Sequence, residues 1–72
     1  MNRNEHIEWC KKRALSYIDA GDIIQAFTSM ASDLRKHPET ANHLGITTGL
    51  GLLMIGRLST SDEMRKFIHG FN

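Results

Sequence analysis

The stretch from Ala41 to Gly56 carries no charged side chain, and it constrains the fold more than any other part of the sequence. Its 16 residues fall short of the roughly 20 predominantly apolar residues that span a membrane. Thr and Gly interrupt it as well, so the run has to be covered by protein. Its spacing predicts a helix from Pro38, a residue suited to a first helical position, to about Ile55, with Gly56 as the stop. Glycine inside a helix costs about 1 kcal/mol relative to Ala. Gly45, Gly49 and Gly51 therefore call for a compensating contact. Ala41, Gly45 and Gly49 recur every four residues and form one small-residue line. Two backbones could meet there, and we expect Ala41, Gly45, Gly49 and Leu52 to form an interface between copies of the chain. Ile46, Thr48, Leu50, Leu52 and Met54 also alternate at period two, so a loop or short strand over Gly45–Gly51 is the competing reading.

Three further helical segments surround this run. The first extends from about Asn4, a possible cap, to Ala20, with Ile7, Cys10, Ala14, Tyr17 and Ile18 at helical spacing and Gly21 as a left-handed stop. The second extends from about Asp22, a good N-cap, to Lys36. Its apolar stripe is Ile23, Ile24, Phe27, Met30, Ala31 and Leu34, with Thr28, Ser29, Ser32 and Asp33 on the other side. The last covers about Ser61 to Gly70. Thr60 and Glu63 fit a capping box there, and Met64, Phe67, Ile68 and Phe71 make one apolar face. The sequence has no Val and no Asn-Gly or Asp-Gly hairpin signal. The expectation is one all-α domain over residues 1–72, a bundle of three or four helices.

At 72 residues such a bundle buries only about 60% of its unfolded surface, which favours self-association. One cysteine excludes an internal disulfide. Nine Lys or Arg against eight Asp or Glu exclude a supercharged nucleic-acid arm and an acidic DNA mimic. The opening Met1–His6 is polar and reads as no signal peptide. Together with the short apolar run, this leads to the expectation of a cytoplasmic protein with no membrane partner.

No catalytic motif is present. The glycine-rich Gly45–Gly51 lacks the Lys of a phosphate-binding loop, and Cys10 falls on an apolar face, where a small buried hydrophobe is the ordinary reading. His6 with Cys10, or His37 with Glu39 and His43, match no zinc spacing, so we expect no metal, no cofactor and no enzyme activity. Lys11-Lys12-Arg13 beside Trp9 could contact phosphates, yet Glu5, Glu8, Asp19 and Asp22 dilute it, and a solvated basic face is favoured over nucleic-acid binding.

The junction of segments two and three is more informative. Arg35, Lys36, His37, Thr40 and His43 cluster beside an expected helix start, whose free amides attract anions. Arg35 and Lys36 would neutralise phosphate, Thr40 would donate, and His43 or Trp9 would stack on a base. A solvated, ordinarily capped junction is the alternative.

Lys12-Arg13-Ala14-Leu15, Ala20-Gly21-Asp22, Ser29-Met30-Ala31-Ser32-Asp33-Leu34, Lys36-His37-Pro38-Glu39-Thr40 and the closing Met64-Arg65-Lys66-Phe67-Ile68-His69-Gly70-Phe71 resemble a group of short accessory proteins of tailed phages and prophages. The resemblance implies a small protein acting inside a bacterial host, where such proteins often block host defence by binding. It assigns no catalytic residue. The expectation is a homo-oligomer that antagonises host defence by sequestering an anionic, nucleotide-like ligand. The alternatives are a protein–protein inhibitor of a host complex or enzyme, of the CRISPR-blocking kind, with contacts through Trp9, Tyr17 and Arg13, and, less favoured, a weak nucleic-acid binder.

Overall fold

A computed structural model describes residues 2–71, so the ends of the expected domain, Met1 and Asn72, lie outside the described residues. Asn2 caps the first helix, α1 (Arg3–Asp19), two residues ahead of the expected Asn4. Its side chain accepts from the Glu5 amide at 2.8 Å, and the Glu5 carboxylate accepts from the Asn2 amide at 3.3 Å. This reciprocal pair satisfies two donors that the first turn leaves over. Gly21, at φ +84°, turns the chain into α2 (Ile23–Leu34), where Asp22 accepts from the Gln25 amide at 3.0 Å. The uncharged run supplies α3 (Leu44–Met54), and Gly56, at φ +77°, ends it as expected. The Thr60–Glu63 capping box opens α4 (Ser61–His69). The described residues thus form a small all-α bundle with no strand, and Gly45–Gly51 is helical.

The expected helix start at Pro38 is corrected. Residues 35–42 run through successive turns, and α3 begins six residues later, at Leu44. Side chains compete here for the backbone that a helix would use. The Thr40 hydroxyl donates to the Leu34 carbonyl at 2.5 Å, and His37 Nδ1 accepts from the Glu39 amide at 3.1 Å. His43 then caps α3, its Nδ1 accepting from the Gly45 amide at 2.9 Å.

The core joins Ile7, Cys10, Ala14 and Ile18 of α1 to Ala26, Phe27, Met30 and Leu34 of α2, and α4 closes it with Met64, Ile68 and the following Phe71. Lys11 Nζ ties α1 to the end of α4 by donating to the His69 carbonyl at 3.3 Å. The polar side expected for α2 is not solvated throughout, because Ser29 and Asp33 are buried beneath Arg13 of α1 and Lys36, which follows α2.

α3 is the least enclosed helix, and its buried residues are Ile46 and Gly49. Its glycine line points inward. A Cβ on Gly45 would lie 2.5 Å from the Phe71 ring; one on Gly49 would collide with Phe27 and lie 2.7 Å from Phe67. The close approach read from the sequence is therefore real, but rings of the same chain make it. The expected interface at Ala41, Gly45, Gly49 and Leu52 is corrected accordingly. Ala41 precedes the helix, and Leu52 is half-buried against the core.

Candidate ligand-binding cleft

Because α3 leans on the bundle through small residues, a cleft stays open between it and α2. Its apolar part, about 300 Å³, is walled by Ile24, Phe27, Ala31, Ile46, Leu50 and Leu53, with Thr28 and Ser32 hydroxyls on the α2 side. Its polar part, about 250 Å³, is lined by Ala41, Asn42, His43 and Thr47. Arg35 and Ile46 border both parts, so the two compartments adjoin. The volumes approach those of small-molecule sites, which combine apolar walls with a few polar groups.

Arg35 follows the last turn of α2 and has no carboxylate partner among the described residues. The N-terminus of α3 opens beside it, adding the positive end of a helix dipole. Arginine, the Thr47 hydroxyl, the Asn42 amide and that helix end form an anion-attracting corner, while the apolar compartment can take a flat ring. The His43 ring packs on Phe71 at 4.9 Å and is fixed as the α3 cap.

Arg35 and His43 are therefore brought together, as expected, but the other four candidates are not part of this cleft. Thr40 is fully buried, with its hydroxyl committed to Leu34, so the expected donor role is corrected. The amides expected at Pro38 belong to turns rather than a helix start. Trp9 lies on α1, and Lys36 and His37 turn toward that helix. Lys36 Nζ lies 3.1 Å from Asp33 Oδ1, and Arg13 Nε lies 2.9 Å from Asp33 Oδ2. The Arg13 guanidinium lies 4.8 Å from the Trp9 ring centre and Lys36 Nζ lies 6.0 Å from it. His6 sits between Trp9 and His37, at 5.8 and 5.2 Å between ring centres. Sequence reading missed Asn42, Thr47 and the apolar wall, because they meet Arg35 only after the Pro38 segment coils into turns.

Beneath this α1 surface, His6 Nε2 lies 2.8 Å from the Asp33 carbonyl and 3.6 Å from Cys10 Sγ. Burial, reinforced by the Asp33 carboxylate, pushes the Cys10 thiol up to about 11, which keeps it protonated and a poor nucleophile. Two of the three cations in Lys11-Lys12-Arg13 are engaged: Lys11 with Glu8 and His69, and Arg13 with Asp33. This leaves little free charge for a polyanion. No described helix is long and apolar enough to cross a membrane.

Comparisons with protein-family models, curated proteins and solved structures find no match for the chain. The likeness to short phage proteins thus rests on the sequence stretches that carry it.

Proposed function

We propose that the chain is a non-catalytic binding protein, acting as a homo-oligomer, that sequesters an anionic nucleotide-like ligand in the α2–α3 cleft. The observation that carries this reading is Arg35, a cation without a carboxylate partner among the described residues, at the join between a polar and an apolar compartment. A phosphate sits against Arg35, Asn42, Thr47 and the start of α3. A base or similar ring lies between Phe27, Ile46 and Leu50. The phage resemblance supplies the setting, with a ligand made by a host defence system and held away from its receptor.

Titration calorimetry with cyclic dinucleotides and cyclic ADP-ribose-type molecules tests it. Heat is expected with at least one of these, and Arg35→Gln is expected to weaken binding about tenfold or more, the scale of one charge-assisted hydrogen bond. Silence from every such ligand at about 100 µM protein, or binding indifferent to Arg35→Gln, defeats the reading.

A second reading, inhibition of a host protein, is favoured by the α1 surface. There Arg13 lies against Trp9, and both are residue types that dominate binding hot spots. Trp9→Ala would then remove a stoichiometric host partner from pull-downs while leaving calorimetric ligand binding intact. Retention of that partner would exclude Trp9 as its anchor.

A further inference from the structure

Gly45 and Gly49 are explained within the chain, but Gly51 is not. It is exposed, and a Cβ added to it would meet nothing within 4 Å. Around it, the outward face of α3 carries Leu44, Thr48 and Met54, with Ile55 following the helix, all exposed. Leu44 is 82%, Met54 87% and Ile55 69% exposed, an unusual degree for side chains of this size on a helix without charge.

We propose that two copies of this chain associate through this outward face, with α3 of one copy crossing α3 of the other antiparallel between Thr48 and Gly51. This rests on the homo-oligomeric part of the proposed function and names the surface; it does not require the ligand. The face is self-complementary in shape. Its middle is low (Thr48, Gly51) and its ends are bulky, Leu44 at one and Met54 with Ile55 at the other. A twofold axis through the middle sets Gly51 of each copy against Thr48 of the partner copy, where the backbones approach, and Leu44 against Met54 and Ile55, as an isologous contact requires. It also offers no electrostatic barrier to self-association, since α3 contains no ionisable side chain from Leu44 to Met54 and no charge is buried unpaired.

The area is adequate. Leu44, Met54 and Ile55, at their observed exposures, present roughly 300 Å² of apolar surface. A specific interface needs about 500 Å² per partner, of which about 65% is apolar between like subunits. The match is to the lower bound, so the dimer is weak and depends on concentration.

Sedimentation velocity of the full chain from about 5 to 500 µM, at low salt and at about 1 M salt, tests this. The wild type is expected to move from the 8.2 kDa chain mass toward twice that value, with no loss at high salt. Met54→Glu and Gly51→Leu are each expected to raise the dissociation constant at least about tenfold. Circular dichroism of dilute samples verifies that both fold, since neither side chain reaches the core. A wild type that stays at chain mass throughout overturns the proposal. So does association that salt abolishes, or association that persists in the folded variants. Should a variant fail to fold, amide chemical shifts of the wild type decide. Concentration-dependent shifts confined to residues 44–55 support the face, and shifts located elsewhere overturn it. Ligand calorimetry is read separately, so failure of the dimer is distinguishable from failure of the cleft.

Discussion

The three glycines of α3 differ in what a methyl group would meet, and their substitution should sort accordingly. At Gly49 a Cβ runs into the buried Phe27 ring, so overpacking of about 1–3 kcal/mol outweighs the helix-propensity gain of about 1 kcal/mol. Gly49→Ala is expected to lower stability in urea titrations. Gly51→Ala, facing open space, is expected to raise it by about 0.5–1 kcal/mol in dilute protein. Equal effects at both positions would contradict the inward and outward assignment. Cys10 makes a second prediction at this scale. Its thiol pKa is raised from 9.0 in the unfolded reference to about 11 by burial and by Asp33, so the folded state holds the proton longer. That contribution is fully present below about pH 9 and disappears as pH rises through about 11, with a size on the order of 2 kcal/mol. Urea titrations across this window should show a steeper alkaline decline for the wild type than for Cys10→Ala. Parallel declines would remove the thiol from the account.

At the scale of elements, α1 and α2 are joined across a buried carboxylate. Asp33 is 2% exposed and receives Arg13, Lys36 and the Ser29 hydroxyl. The cations are roughly half exposed, so either can compensate for loss of the other. Arg13→Gln and Lys36→Gln should each cost about 1 kcal/mol, whereas the double variant should cost about 3 kcal/mol, because it leaves a buried charge unpaired. A thermal-melt double-mutant cycle that proves additive would show that Asp33 does not depend on them jointly. This junction also marks how far the sequence could be read. The apolar stripes of α1, α2 and α4 were legible because each helix buries one face, and Thr60–Glu63 and Asp22 were legible because a cap is a local bond. The burial of Asp33 was not, because only the crossing of Arg13 from a separate helix makes it tolerable. The start of α3 was misread for the opposite reason. Pro38 permits a helix, but the Thr40 hydroxyl and the His37 ring offer the same backbone nearer partners. Two of the expected site residues, Arg35 and His43, meet in the cleft. Lys36 instead pairs with Asp33 and Trp9 stacks under Arg13, and what ties both to one surface is the Arg13–Asp33 bridge between α1 and α2, which no spacing reveals.

Across the whole molecule, burial is unevenly shared. α1, α2 and α4 interleave their apolar stripes around Cys10, Met30 and Met64, each fully buried. α3 rests on that core through Ile46 and Gly49 and turns much of its apolar surface outward. Local opening free energies follow such differences in packing, so α3 should detach at lower cost than the other helices. Amide exchange in dilute protein should therefore be fastest for Ile46–Met54 among the helical interiors, and slowest around Cys10–Ile18 and Phe27–Leu34. The same weakness makes α3 responsive. Any occupant of the cleft, or a second copy on its outer face, binds the closed form alone and slows exchange there by mass action. Raising protein concentration should protect α3 selectively, and a ligand gripping Arg35 should do so in dilute solution as well. Uniform exchange across all four helices would mean that α3 is held as firmly as the rest.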